Sequence, residues 1–320
     1  MMASRRLVNT GRSNRATGRC LQRTILAAFL LFGAGPIHAQ TPPPEPGHFQ
    51  ERINEVARSL QNNPRLKKLS QQEREKLVEF VTGNMLFALL HELAHTAMDE
   101  FDLPVLGREE DAADDFAAVR LLRIGSEFSH RVLVEAAKGW FLSFQRDQQD
   151  GEKPDFSDEH SLDAQRAFHI VCLMVGSDRA KFADLANETQ LPPERQESCP
   201  REFAKASRSW DKVLKRHQRS ADQPKAKIDV LYGDAKGNLE TYAQTFRAVR
   251  LLDVVAAHTA DQLAWPAPFT LEMKSCGVIN AAWFAPDRKL TLCYELAADF
   301  AELYRDFGAA QAKSKKRKAK

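Results

Sequence analysis

Leu89-Leu90-His91-Glu92-Leu93-Ala94-His95-Thr96-Ala97-Met98 constrains this chain more than any other stretch. It is an H-E-x-x-H run inside an apolar segment with helical character. Residues four apart on an α-helix lie on one face, so His91 and His95 are expected to stand one turn from each other. Two neutral imidazoles held that way can supply two protein ligands of an open, tetrahedral zinc site. Glu92 directly follows the first histidine. It is therefore expected beside such a metal, not on it, where it can take a proton from a water the ion activates. A chance pattern on a buried helix is the plainer explanation, which makes the third ligand decisive.

Pro104 and Gly107 are expected to close the first helix and allow a reversal. The run from Glu109 then forms a second helix packed back on the first. Glu110 and Asp114, four apart, share a face of it. Glu109 is the rival ligand, because sequence does not fix helix phase, and first-turn carboxylates are favoured by the helix dipole without any metal. Glu-x-x-x-Asp after H-E-x-x-H resembles the gluzincin metallopeptidases. That resemblance implies Glu110 as third zinc ligand and Asp114 as the carboxylate orienting a ligand imidazole.

Residues 1–39 are expected to be an export signal. Arg5, Arg6, Arg12, Arg15, Arg19 and Arg23 form a leader without an acid, Ile25 to Phe32 is a short apolar core, and small residues end at Ala39. The core is too short for a permanent membrane span. A Pro-rich linker is expected over 40–48, one domain over 49–311, and a basic, solvated tail over 312–320. The protein is thus read as exported, to the periplasm or beyond.

The formal charge of +3 comes from the two ends. Without the leader and the tail the body is acidic, which argues against a nucleic-acid partner. The tail lysines allow at most a weak contact with a polyanion or an anionic lipid surface. Cys172, Cys199, Cys276 and Cys293 remain after the leader, enough for two disulfides in an oxidising compartment. Cys172–Cys199 and Cys276–Cys293 are favoured because each closes a local loop. A cysteine zinc site is the rival, but no C-x-x-C is present.

The body reads as mainly helical. Segments are expected over Phe49 to Leu60, a long helix after the Ser70-Gln71-Gln72-Glu73 capping box, Ala112 to Ile124, Phe128 to Phe144, Leu162 to Val175, Arg201 to His217, Leu239 to Leu263 and Tyr294 to Phe307. Gly83-Asn84 is a place where the long helix could break, and Gln148 to Asp158 reads as a loop. Strands are expected only over Phe269 to Lys274, Val278 to Phe284 and Lys289 to Cys293, the last two joined at Ala285-Pro286-Asp287-Arg288.

Taken together, the HELAH run, Leu103 to Asp114, Asp158 to Arg166, Asn280-Ala281-Ala282-Trp283 and Leu292 to Leu296 resemble a bacterial family of exported zinc metallopeptidase-like proteins catalogued as a domain of unknown function. The resemblance implies an α+β, predominantly α-helical, zincin-like fold. Its parts are the H-E-x-x-H helix, an antiparallel Glu-x-x-x-Asp helix and a small C-terminal β-hairpin or sheet. Gluzincins also use a histidine or tyrosine away from the metal to stabilise an oxyanion. His160 is the candidate here; the competing expectation is a histidine in a helix's first turn, with Arg166 bridging surface acids. His130, His169, His217 and His258 lack partner spacing and read as packing or surface residues.

Asn280 to Trp283 is similar to the peptide-binding edge strand of thermolysin-like enzymes, which would pair the backbone of Asn280 and Ala282 with substrate. The preferred expectation is a hairpin stapled by Cys276–Cys293 that only covers the core. The leading function is a zinc-dependent peptide hydrolase holding zinc on His91, His95 and Glu110, with Glu92 as general base and a peptide or protein as substrate. The alternative is an exported binding or assembly protein with a structural zinc or an inactive peptidase scaffold.

Overall fold

A computed structural model describes residues 48–308. The expected leader, nearly all of the linker and the basic tail lie outside the described residues. The fold is organised by α2 (Gln71–Glu100), the H-E-x-x-H helix. Its start is fixed as the sequence requires: the Glu73 backbone N–H donates to Ser70 Oγ at 3.2 Å, and the Ser70 N–H donates back to Glu73 Oε2 at 2.8 Å. From Leu77 onward nearly every residue is buried. By length and composition α2 could cross a membrane, but its most apolar window is mostly buried inside the protein, as a central core helix must be.

The helix runs unbroken through Gly83-Asn84, the place where it could have broken. These residues serve the crossing with α4 (Glu127–Asp150) instead. Asn84 Nδ2 donates to Phe80 O within α2 at 2.9 Å and to Glu135 O on α4 at 3.0 Å. Gly139 makes room for it, since a Cβ there would stand 2.1 Å from Asn84 Oδ1. Gly139→Ala is therefore expected to destabilise by about 1–3 kcal/mol through overpacking, although alanine is the better helix former. A thermal melt reads this as a lower Tm; an unchanged or higher Tm would mean that Asn84 yields freely.

Around α2 pack α1 (Phe49–Ser59), α3 (Glu109–Ile124), α4 and α10 (Tyr294–Leu303). The reversal into α3 uses Gly107 at φ +134°, open to glycine and strained for other residues. Gly125 ends α3 in the left-handed conformation, as its place in the sequence predicts. A second layer comprises α5 (Asp163–Ser177), α6 (Arg179–Glu188) and α7 (Pro193–Leu214), with Cys172–Cys199 joining α5 to α7.

The remaining elements are β1 (Ile228–Tyr232), α8 (Glu240–Val249), α9 (Leu251–Gln262), β2 (Phe269–Lys274), β3 (Ala281–Phe284) and β4 (Lys289–Cys293). The class is α+β and mostly helical, and the small sheet carries one strand, β1, beyond the three expected. Four strands run in the order β1-β2-β4-β3, parallel except for β3, which is antiparallel to β4 on an edge. Cys276–Cys293 ties the segment before β3 to the end of β4. Both disulfides are the local pairs expected, and such bonds persist in oxidising surroundings.

Four further expectations are corrected. The β1 strand was not foreseen, and neither was α6. The single helix over 239–263 is two, split at Arg250 with φ +57°. The expected loop from Gln148 begins only after Asp150, where Gly151 caps α4.

Candidate metal centre

The reversal between α2 and α3 brings three side chains to one point. His91 Nε2 lies 3.0 Å from Glu110 Oε2, His95 Nε2 lies 3.3 Å from the same oxygen, and the two Nε2 atoms are 3.2 Å apart. Donors about 2.0–2.1 Å from one tetrahedral ion are separated by roughly 3.3 Å. The set of two imidazoles and one carboxylate therefore fits a single metal in both chemistry and spacing. His160 Nε2 also reaches Glu110 Oε2, at 2.9 Å, and the ligand atoms of His91, Glu110 and His160 lie within 4.8 Å of one another.

Helix phase separates the two candidate glutamates. Glu110 is turned inward with its side chain 16% exposed, whereas Glu109 is 56% exposed. Glu109 Oε1 sits behind His95 instead, 2.8 Å from Nδ1, so that ring presents Nε2 to the centre. His91 has the same arrangement, with Nδ1 2.8 Å from Asp114 Oδ1. An imidazole that donates Nδ1–H to a carboxylate keeps the Nε2 lone pair for a metal.

Asp114 is held in turn by Arg166, whose Nε and Nη2 donate to the two carboxylate oxygens at 2.7 and 2.8 Å. The guanidinium stacks over Trp140, 3.7 Å from the ring centroid. Arg166 is thus not the surface bridge of the competing expectation; it and Asp114 are both buried.

These contacts set the electrostatics. Burial disfavours the charged form of His91, but bonding to Asp114 and Glu110 outweighs it and raises the ring to about 9. A metal ion would therefore bind His91 in exchange for a proton. Burial alone would raise Glu110, yet hydrogen bonds from His160, His91 and His95 hold it well below the usual carboxylate range.

His160 does not begin a helix, as its sequence context suggested; it lies in the turn ahead of α5. Asp158 Oδ1 accepts from the His160 backbone N–H at 2.7 Å and lies 3.0 Å from Nδ1, which aims Nε2 inward. Arg108 Nη1 donates to the His160 carbonyl at 3.1 Å, and Ser161 Oγ donates to Asp111 at 2.7 Å, tying this turn to the start of α3.

Glu92 makes no such contact with the cluster. Its Oε2 accepts from the Trp283 backbone N–H of β3 at 3.2 Å. Trp283 Nε1 donates to Asp99, and Arg288 Nη2 to Glu100, fixing the hairpin to the C-terminal turn of α2. The edge strand therefore does lie beside the H-E-x-x-H helix, which the preferred hairpin expectation did not foresee. Its register corrects the backbone assignment too. Cys293 N donates to Asn280 O, so Asn280 and Ala282 face β4, while Ala281 and Trp283 present their N–H and C=O to the open edge.

His169, read from sequence as unpartnered, has Nε2 2.7 Å from Asp115 Oδ1. Burial would lower its pKa, but the hydrogen bond with Asp115 and the charges near it raise it. A raised folded pKa gives stability that is fully present below the unfolded value of about 6.5 and lost as pH rises through the folded value. The Tm deficit of His169→Asn should accordingly be larger at pH 5.5 than at pH 9; equal deficits would deny the pair a charged role.

Two imidazoles braced by carboxylates and a converging glutamate make a donor set that could hold a metal ion, with Glu92 held beside it by the Trp283 N–H. The chain belongs to the family described as "Putative metallopeptidase", whose model matches residues 51–214, just over half of it. The matched span holds His91, Glu92, His95, Glu110, Asp114, His160 and Arg166, and stops short of the sheet and Trp283. No curated protein and no solved structure matches the chain.

Proposed function

We propose that the protein is a zinc-dependent, gluzincin-type peptidase acting outside the cytoplasm. The observation that carries this reading is the 3.0–3.3 Å convergence of His91 Nε2, His95 Nε2 and Glu110 Oε2. A zinc ion held there would supply Lewis acidity, lowering the pKa of a water and polarising a substrate carbonyl.

The chain's own groups do the rest. Asp114 and Glu109 fix the two ligand rings in the tautomer that leaves Nε2 free. Glu92, one residue from a ligand, takes a proton from the attacking water and returns it to the leaving amine. Trp283 N–H holds the Glu92 carboxylate in place. His160, held at Nδ1 by Asp158, offers Nε2–H to the oxygen on which charge develops when both ring nitrogens carry protons, unlike the two ligand rings. The outward N–H and C=O of Ala281 and the C=O of Trp283 give an extended peptide a strand to pair with, the Trp283 N–H being used by Glu92. Two disulfides and the leader-like N-terminus support action in an oxidising compartment.

The test is a peptide-library digest by the zinc-loaded protein. Cleavage that 1,10-phenanthroline abolishes and added zinc restores is expected. A folded, zinc-loaded protein that cleaves nothing would favour a structural or inactive centre. In the same assay His160→Ala should keep its zinc and lose about 10²–10³-fold in kcat. Loss of zinc instead would make His160 a ligand.

A further inference from the structure

Seven large apolar side chains stand exposed among the described residues, and five of them, Leu106, Phe156, Val278, Ile279 and Phe284, lie in the segments that build the metal centre. Leu106 comes four residues before Glu110, Phe156 four before His160 and Ile279 four before Trp283. At no more than about 3.6 Å per residue, each Cα is within roughly 14 Å of that of its partner in the centre. A lone exposed leucine needs no explanation. A set concentrated around one site does.

The turns that carry these side chains are pinned. Arg108 Nη1 donates to the His160 carbonyl at 3.1 Å, joining the reversal of Leu106 to the turn of Phe156. Within that turn Asp155 Oδ1 accepts from the Ser157 N–H at 2.8 Å and from its hydroxyl at 2.6 Å. The turn of Val278 and Ile279 is held by the Cys276–Cys293 bond and by Glu295. The Glu295 carboxylate accepts from the Gly277 N–H at 2.8 Å, the Cys276 N–H at 3.0 Å and Ser275 Oγ at 2.7 Å. Apolar groups displayed on fixed backbone lose little freedom when a partner covers them, which favours binding.

The chemistry of that partner follows from what continues the second turn, the open edge of β3. This edge takes an extended backbone, and the residues around it take large apolar side chains. Folded proteins bury such side chains and pair their own strands. Both features are offered together by chain that is not folded. Resting on the peptidase reading, we propose that the substrate is unfolded polypeptide, recognised through large apolar side chains that Leu106, Phe156, Val278 and Ile279 receive.

The zinc-loaded full chain carrying Glu92→Gln, expected to bind without cleaving, would be titrated by fluorescence anisotropy with two labelled peptides. One carries alternating Leu and Phe, the other Ser and Asn in their places. The apolar peptide should bind about tenfold or more tighter. Phe156→Ser and Ile279→Ser, both at exposed positions, should each weaken it about threefold to tenfold. In the otherwise wild-type enzyme they should raise KM for that peptide and leave kcat, zinc content and Tm unchanged. Leu231→Ser, exposed on β1 at the far edge of the sheet, should alter none of these. A small disulfide-bonded protein should be cut after reduction and carboxymethylation and spared in its native form. Equal binding of the two peptides, no more effect of Phe156→Ser and Ile279→Ser than of Leu231→Ser, or equal cutting of the native protein would each overturn the proposal. Cleavage of a library without apolar preference would overturn it and leave the peptidase reading in place. Selective apolar binding without any cleavage by wild type would uphold the recognition and overturn the peptidase reading alone.

Discussion

Glu92→Gln is expected to reduce peptide turnover by about 10²–10⁴-fold while leaving zinc content and Tm unchanged. The side chain stands beside the ligand cluster, and its Oε2 accepts from the Trp283 N–H at 3.2 Å. Glutamine has the same shape and keeps an oxygen acceptor for that bond, so the edge strand stays in place. What it loses is the ability to accept the water's proton. Kinetics on a cleaved library peptide, paired with elemental analysis, separates the outcomes. Undiminished turnover removes Glu92 from the reaction, and lost zinc would recast it as a ligand.

The second large effect is expected at Arg166, more than fifty residues beyond the first acids of α3 and yet part of the centre. Its two bonds to Asp114, at 2.7 and 2.8 Å, are made where both side chains are nearly inaccessible. Burial pushes the Asp114 carboxyl up, but Arg166 and His91 outweigh it and hold it below the usual carboxylate range. Arg166→Met leaves a buried carboxylate with His91 as its remaining partner. Breaking such a pair from one side costs about 3–5 kcal/mol, visible as a large fall in Tm. Because Asp114 orients His91, zinc affinity should fall as well, by about 10–100-fold. A variant with wild-type Tm and zinc affinity would show that His91 needs no bracing from this side.

Much of the centre was legible because its signals are local. The four-residue spacing of His91 and His95, the Ser70–Glu73 cap, and Gly107 and Gly125 as reversal and stop each act within one or two turns. The disulfides followed from the same locality: both pairs bridge fewer than thirty positions. Choosing between Glu109 and Glu110 was different. It depends on helix phase, which the packing of α3 on α2 decides, and adjacent glutamates look alike in sequence. The structure uses both, one at the centre and one behind His95.

The less legible parts are nonlocal or carry misleading signals. In β1 the exposed Leu231 masks the alternation of Ile228, Val230 and Tyr232, and its partner β2 is some forty residues away and parallel. The break at Arg250 uses a left-handed arginine, with neither glycine nor proline to mark it. The helix expected over Arg201 to His217 begins earlier, at Pro193, and carries Pro200 in its interior. His160 was read as helical because α5 follows it closely, whereas Asp158 holds it in a turn. The outward groups of β3 required the register with β4, which only the Asn280–Cys293 bond reveals.

Anomalous diffraction at the zinc edge from crystals of the metal-loaded protein tests the central claim most directly. One peak is expected, about 2.0–2.2 Å from His91 Nε2, His95 Nε2 and a Glu110 carboxylate oxygen. A peak elsewhere, or one that lacks Glu110 among its ligands, would contradict the account.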